Sequence, residues 1–138
     1  MTIKEIENEI VEEFAIFTDW LDKYEYIIEL GKAVPAIDES EKRDDNLIKG
    51  CQSRVWLSCS VKDGKLYFGA DSDAIITKGI ISLLIRVYNG QKAEDIVASD
   101  LEFLGKIGLQ DNLSPTRANG LVAMIKQIRM YAVAVAQK

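Results

Sequence analysis

Histidine is absent from the 138 residues, and cysteine, tryptophan and proline occur only twice each. Each shortage removes a class of chemistry. Without imidazole there is no Ser-His-Asp or Cys-His pair, no histidine general base, and no zinc site of mixed Cys and His ligands. Two thiols, Cys51 and Cys59, fall short of the four ligands that a structural zinc or an iron-sulfur cluster takes, and of a disulfide framework. The eight residue steps of extended chain from one to the other span up to about 26 Å, so a bridge between the two is not expected either. Long apolar runs are missing too. The longest is seven residues, Met130 to Ala136, against the roughly 20 that cross a bilayer. The first 13 residues carry five glutamates where a secretory signal would be basic and then apolar. Neither a signal peptide nor a membrane span is expected, and the composition suits the cytoplasm.

What remains is 48% hydrophobic and 28% charged, with 17 basic and 22 acidic residues and a net charge of −5. A chain of this size and balance can bury enough surface to fold as one domain over residues 1–138. The charge is uneven: residues 1–45 hold 14 acids and 5 bases, whereas residues 46–138 hold 8 acids and 12 bases. That asymmetry can orient a partner. Neither half has the basic stripe with interleaved aromatics that nucleic-acid binding requires.

Along residues 3–17, Ile6, Ile10, Phe14 and Phe17 recur at helical steps, with Glu5, Glu9, Glu12 and Glu13 on other faces. Asp19 is placed to cap a second helix carrying Trp20, Tyr24, Ile27 and Ile28, with Gly31 near its end and Pro35 beyond. Residues 36–46 have neither period and read as a charged surface connection. From Arg54 to Lys62 the pattern alternates, Val55, Leu57, Cys59 and Val61 on one side. Asp63-Gly64 is a two-residue turn signal, and Leu66-Tyr67-Phe68 is the returning strand. Asn46 to Lys49 is expected to add a third short strand. Ser72 or Asp73 then caps a long apolar helix to about Tyr88, with Lys78, Ser82 and Arg86 as its polar stripe. Two short helical pieces, Ala93–Ala98 and Leu101–Ile107, precede a last helix with Ser114 as cap and Pro115 at its first position. The fold class is α+β, a small antiparallel sheet of about three strands packed against several helices.

The cysteines are what is left for chemistry. Cys59 follows the inward parity of its strand and is assigned to the core as a small hydrophobe. Cys51 lies between Gly50 and Gln52 in a turn leading into the strand, outside either period. A thiol there can be presented to another molecule, and Gly50 permits backbone angles that other residues resist.

The run Lys49-Gly50-Cys51-Gln52-Ser53-Arg54-Val55-Trp56 resembles the Gly-Cys-x-Ser-x-Val-Trp signature of the SufE family of sulfur acceptors, to which CsdE is closely related. Tyr24 to Gly31 is similar to the family's second helix. Asp71 to Gly79 is similar to its Ser-Asp-Ala-x-x-x-Lys-Gly segment, and Leu113 to Leu121 to the Arg-x-x-Gly-Leu opening of its last helix. The resemblance spans nearly the whole chain and implies a fold shared with the IscU-type scaffolds. It implies transpersulfuration: a SufS-like or CsdA-like cysteine desulfurase, itself a pyridoxal phosphate enzyme, offers a persulfide, and Cys51 takes the outer sulfur. The chain itself then needs no cofactor and no metal. The sulfur passes on to iron-sulfur cluster assembly through a scaffold such as SufBCD, and the family allows a homodimer.

This agrees with the missing histidine, because a thiol attacking an activated sulfur needs no base of its own. Lys49, Arg54 and Arg117 are candidate sources of positive potential for a Cys51 thiolate, against the apolar pocket that the family folds its cysteine loop over. Gly50, Gln52, Ser53, Arg54, Asp73 and Arg117 are expected to support the loop or meet the partner. Asp73 could instead cap its helix, whereas Arg117, in a helix's first turn where the dipole disfavours a cation, is better suited to a loop or partner contact. Trp56 reads as a packing residue. The competing reading is a redox sensor or thiol-exchange protein using Cys51, for which a resolving thiol is wanted and Cys59 is poorly suited.

Overall fold

A computed structural model describes residues 1–137. Thr2 opens helix α1 (Ile3–Phe14) with a capping box, its hydroxyl accepting from the Glu5 N–H while the Glu5 carboxylate accepts from the Thr2 N–H. The helix ends at Phe14, short of the expected Phe17, because the chain tightens there: the Ile16 and Phe17 amides donate three residues back, to Glu13 and Phe14. Phe17 packs beside Tyr26 instead, the ring centroids 5.0 Å apart. Asp19 caps α2 (Trp20–Gly31) as expected, accepting from the Asp22 N–H at 2.9 Å.

Strands β1 (Val55–Lys62) and β2 (Lys65–Ser72) pair antiparallel from Val55 opposite Ser72 to Lys62 opposite Lys65. Asp63 at φ 55° and Gly64 at φ 78° make the two-residue turn whose twist matches the hairpin. The third strand is not Asn46–Lys49. Asp44–Asn46 is a 3-10 turn in which the Asn46 amide donates to the Glu41 carbonyl and carboxylate, and only Leu47 bridges to Trp56, with the Ile48 N–H on the Val55 carbonyl. The third strand, β3 (Gln91–Lys92), pairs instead with β2, so the order is β1-β2-β3.

Helix α3 (Ile75–Tyr88) is the axis of the molecule, with eleven of its fourteen residues buried. Its polar stripe meets partners: Ser82 donates to the Leu30 carbonyl at 3.0 Å, Arg86 pairs with Glu9 and Glu13, and Lys78 reaches Asp71. Helix α2 crosses it where both are glycine; a Cβ on Gly79 would lie 2.1 Å from the Ile27 carbonyl oxygen, so only hydrogen fits. Neither Ser72 nor Asp73 caps α3. The cap position is Ala74, Ser72 is the last residue of β2, and the Asp73 carboxylate is engaged elsewhere.

Four helices close the chain: α4 (Ala93–Ala98), α5 (Phe103–Lys106), α6 (Leu109–Asn112) and α7 (Pro115–Ala136). The last has the expected start, the Ser114 hydroxyl accepting from the Arg117 N–H at 3.3 Å. Cys59 is not a core residue. Its strand points it inward, but the cover over β1 runs out along the strand, leaving Cys59 half-buried and Val61 52% exposed. Among the described residues no helix is long and apolar enough to cross a membrane.

Candidate functional site

The loop from Lys49 to Arg54 leaves the Leu47–Trp56 bridge and must turn sharply to enter β1. Gly50 makes that turn at φ 99°, a left-handed conformation that favours glycine, and a Cβ there would also press on Ala123 of α7 at 3.3 Å. The far end of the loop is held twice by one residue. Asp73 Oδ1 accepts from the Arg54 N–H at 3.0 Å, and the Asp73 N–H donates to the Arg54 carbonyl at 3.2 Å. Asp73 is thus a loop anchor, and its backbone position just before α3 ties the loop to the central helix.

Between these two fixed points Cys51 is half-buried, its Sγ–H donating to the Gly120 carbonyl of α7 at 3.6 Å. Gly120 lets the thiol approach, since a Cβ on it would sit 3.4 Å from Sγ. Sγ borders a cavity of about 80 Å³. Gln52 and Ser53 of the loop, Ala74, Ile76, Thr77 and Ile80 of the α3 segment, and Thr116, Arg117, Gly120 and Met124 of α7 make the rest of its wall. Burial is the one cause acting on the thiol, and it pushes the Cys51 pKa up.

The expected positive groups do not offset this. Lys49 and Arg54 are exposed, and Arg54 touches the site through its backbone. Arg117 lines the cavity, yet its guanidinium lies 5.7 Å over the Tyr24 ring of α2, making a cation–π contact at the rim. Gln52 is exposed and Ser53 half-buried. Trp56 packs half-buried beneath Lys42, whose ammonium stands 5.7 Å from the ring. Cys59 lies outside the cavity and burial pushes it to about 11. Among the described residues no group of three or more Cys, Asp or Glu side chains is placed to hold a metal ion.

Gly120, Ile76, Thr77, Ile80 and Met124 line the cavity without being among the expected site residues, although Gly120 and Thr77 fall within the family-like segments. Ile76, Thr77 and Ile80 follow the helical spacing of a buried face, the same signal as ordinary core, so nothing local marks them as a cavity wall.

The family described as SufE, Fe-S metabolism associated domain, matches residues 8–132. The chain belongs to the SufE family. An uncharacterized SufE-like protein of Rhizobium etli is 41% identical over 130 residues, covering 91% of this chain and 88% of its own. Another from Rhizobium meliloti (strain 1021) is 38% identical over 130 residues, covering 91% and 93%. The solution structure of a hypothetical protein from Thermus thermophilus superposes with a TM-score of 0.78 at 18% identity, covering 96% of this chain and 97% of that one. That likeness shows the α+β fold. Membership in the SufE family ties the chain to iron-sulfur metabolism.

Proposed function

We propose that this SufE-family chain is a sulfur carrier that takes sulfane sulfur from a SufS-like or CsdA-like cysteine desulfurase as a persulfide on Cys51. It stimulates that enzyme and hands the sulfur on to an iron-sulfur scaffold such as SufBCD. In the transfer, Cys51 thiolate attacks the outer sulfur of the enzyme's Cys–S–SH. The Cys51–sulfur bond forms, the enzyme's S–S bond breaks, and the enzyme's cysteine leaves as thiolate with the bonding pair. No net oxidation occurs and the chain carries no cofactor; pyridoxal phosphate chemistry stays with the desulfurase.

The observation that carries this reading is the seat of Cys51: a thiol on a loop that turns at Gly50 and is anchored by Asp73, bordering a cavity of mixed polar and apolar lining, with the Gly120 carbonyl as its hydrogen-bond partner. At rest burial keeps the thiol protonated, which suits a carrier that must not react until its partner draws the loop outward. The half-buried Cys59, pushed to about 11, makes a poor resolving thiol and favours the carrier over a redox sensor. The test is incubation with a cysteine desulfurase and cysteine bearing labelled sulfur. Label recovered on the wild type and absent from Cys51→Ser is expected; no label on the wild type with unchanged desulfurase turnover would reject the reading.

A further inference from the structure

Arg117 stands at the mouth of the Cys51 cavity without acting on the sulfur. It lines that cavity from the first turn of α7, where the helix dipole disfavours a cation. Gly120, whose carbonyl accepts from the thiol, lies three residues on, so the two belong to one face of the helix, a turn apart. Among the described residues no carboxylate pairs with the guanidinium. A long, exposed arginine so placed could turn toward a negative charge on Sγ. Yet burial is the one cause acting on the thiol, and the neighbouring cation does not relieve it.

The reason lies on α2. The Tyr24 ring sits under the guanidinium, whose central carbon is 5.7 Å from the ring centroid. Tyr24 is half-buried and packs against the core. One turn further along, at Ile27, α2 crosses α3 so closely that a Cβ on Gly79 would lie 2.1 Å from the Ile27 carbonyl oxygen. The helix carrying the ring is therefore locked to α3, which supplies Ile76, Thr77 and Ile80 to the same cavity wall. The ring is a fixed platform, and the rotamer-rich arginine is the member that moves.

We infer that Tyr24 is a positioning residue for Cys51: its ring holds the Arg117 guanidinium at the rim of the cavity and off the sulfur, so that the cation reaches a Cys51 thiolate only by giving up that contact. This rests on Cys51 as the persulfide acceptor and adds a restraint on the resting carrier. A cation–π contact at an exposed site changes an equilibrium about two- to fivefold. The charged and titratable groups around the thiol are Lys49 and Arg54 on the loop, Asp73 before α3, Lys78 on α3, Arg117 on α7 and Tyr24 on α2. Asp73 is engaged by Arg54 and Lys78 by Asp71, whereas Arg117 is the one in contact with the ring.

The test needs no enzyme. Cys51 thiolate displaces iodide from iodoacetamide, and the alkylation rate at Cys51, followed against pH by peptide mass spectrometry, gives the midpoint of its ionisation. Tyr24→Leu removes the aromatic face; Tyr24→Phe keeps it. Tyr24→Leu is expected to lower the midpoint by about half a pH unit and to raise the rate below it about threefold, with Tyr24→Phe following the wild type. In an Arg117→Ala background Tyr24→Leu is expected to change nothing, and added salt to shrink the shift, because an exposed charge is screened. An unchanged midpoint in Tyr24→Leu, the same shift without Arg117, a shift insensitive to salt, or Tyr24→Phe behaving as Tyr24→Leu would each overturn the inference. Failure of the desulfurase to label Cys51, with the Tyr24→Leu shift intact, would instead remove the carrier reading and leave the restraint on Arg117 standing.

Discussion

Asp73 shows how much one side chain can decide. The same carboxylate that could have capped α3 accepts from Arg54 instead, because β2 and its neighbour β1 bring the loop's end within 3.0 Å of it. A hydrogen bond of this charged kind, at an exposed site, contributes about 1 kcal/mol. Asp73→Ala should therefore free the cysteine loop and raise the rate of Cys51 alkylation at neutral pH about fivefold, with the hairpin intact. Iodoacetamide kinetics check this; an unchanged rate would show that Gly50 and the Gly120 contact hold the loop by themselves. The candidate thiol was legible in the chain, since Cys51 sits in a glycine turn outside every period. Its surroundings were not. The cavity wall comes from α3 and α7, which are about 25 and 65 residues away in sequence, and their apolar spacing is identical to that of any core face.

At the scale of elements, caps and turns behaved as local chemistry dictates: Asp19, Ser114 and Asp63-Gly64 start or turn the elements that they were expected to. Where prediction and structure part, a distant partner intervened. Asn46–Lys49 lost its strand to a turn closed by Asn46 on Glu41, and β3 formed on the other edge because the chain after α3 returns to Lys65 and Leu66. The crossing of α2 on α3 is likewise a tertiary matter. Gly79→Ala would drive a methyl into the Ile27 carbonyl and should cost roughly 3 kcal/mol in chemical denaturation. Gly105→Ala, in α5 with no atom near its would-be Cβ, should be neutral to slightly stabilising. Equal effects at the two glycines would contradict the close crossing.

For the whole molecule, two carboxylates on α1 pull the pH dependence of stability in opposite directions. Glu13 accepts from Arg86 and Tyr26, and these bonds, the one to Arg86 first, hold its carboxyl below the usual range. Its contribution is present above the unfolded value near 4.5 and is lost as pH falls through the lower folded value. Glu7 is 3% exposed with Oε2 unpartnered, and burial pushes its carboxyl up. Its favourable condition is the protonated one, present below the unfolded value and lost as pH rises through the folded value. Glu7→Leu should therefore stabilise the protein at pH 7 by about 1 kcal/mol, and by less at pH 4. Urea midpoints at the two pH values measure this, and a gain that grows on acidification would refute it.

The chain by itself determined the α+β class, the starts of α2 and α7 and the hairpin, and it marked Cys51 as the candidate thiol, because each depends on periods, caps and turns that act over a few residues. The family followed from the same local runs. Only the tertiary structure decided that the thiol lies over a cavity, that Asp73 holds the loop and that Cys59 escapes the core. Those facts depend on which surfaces of α3, α7 and the sheet come to rest against one another, and packing between segments far apart in sequence leaves no periodic trace in any one of them.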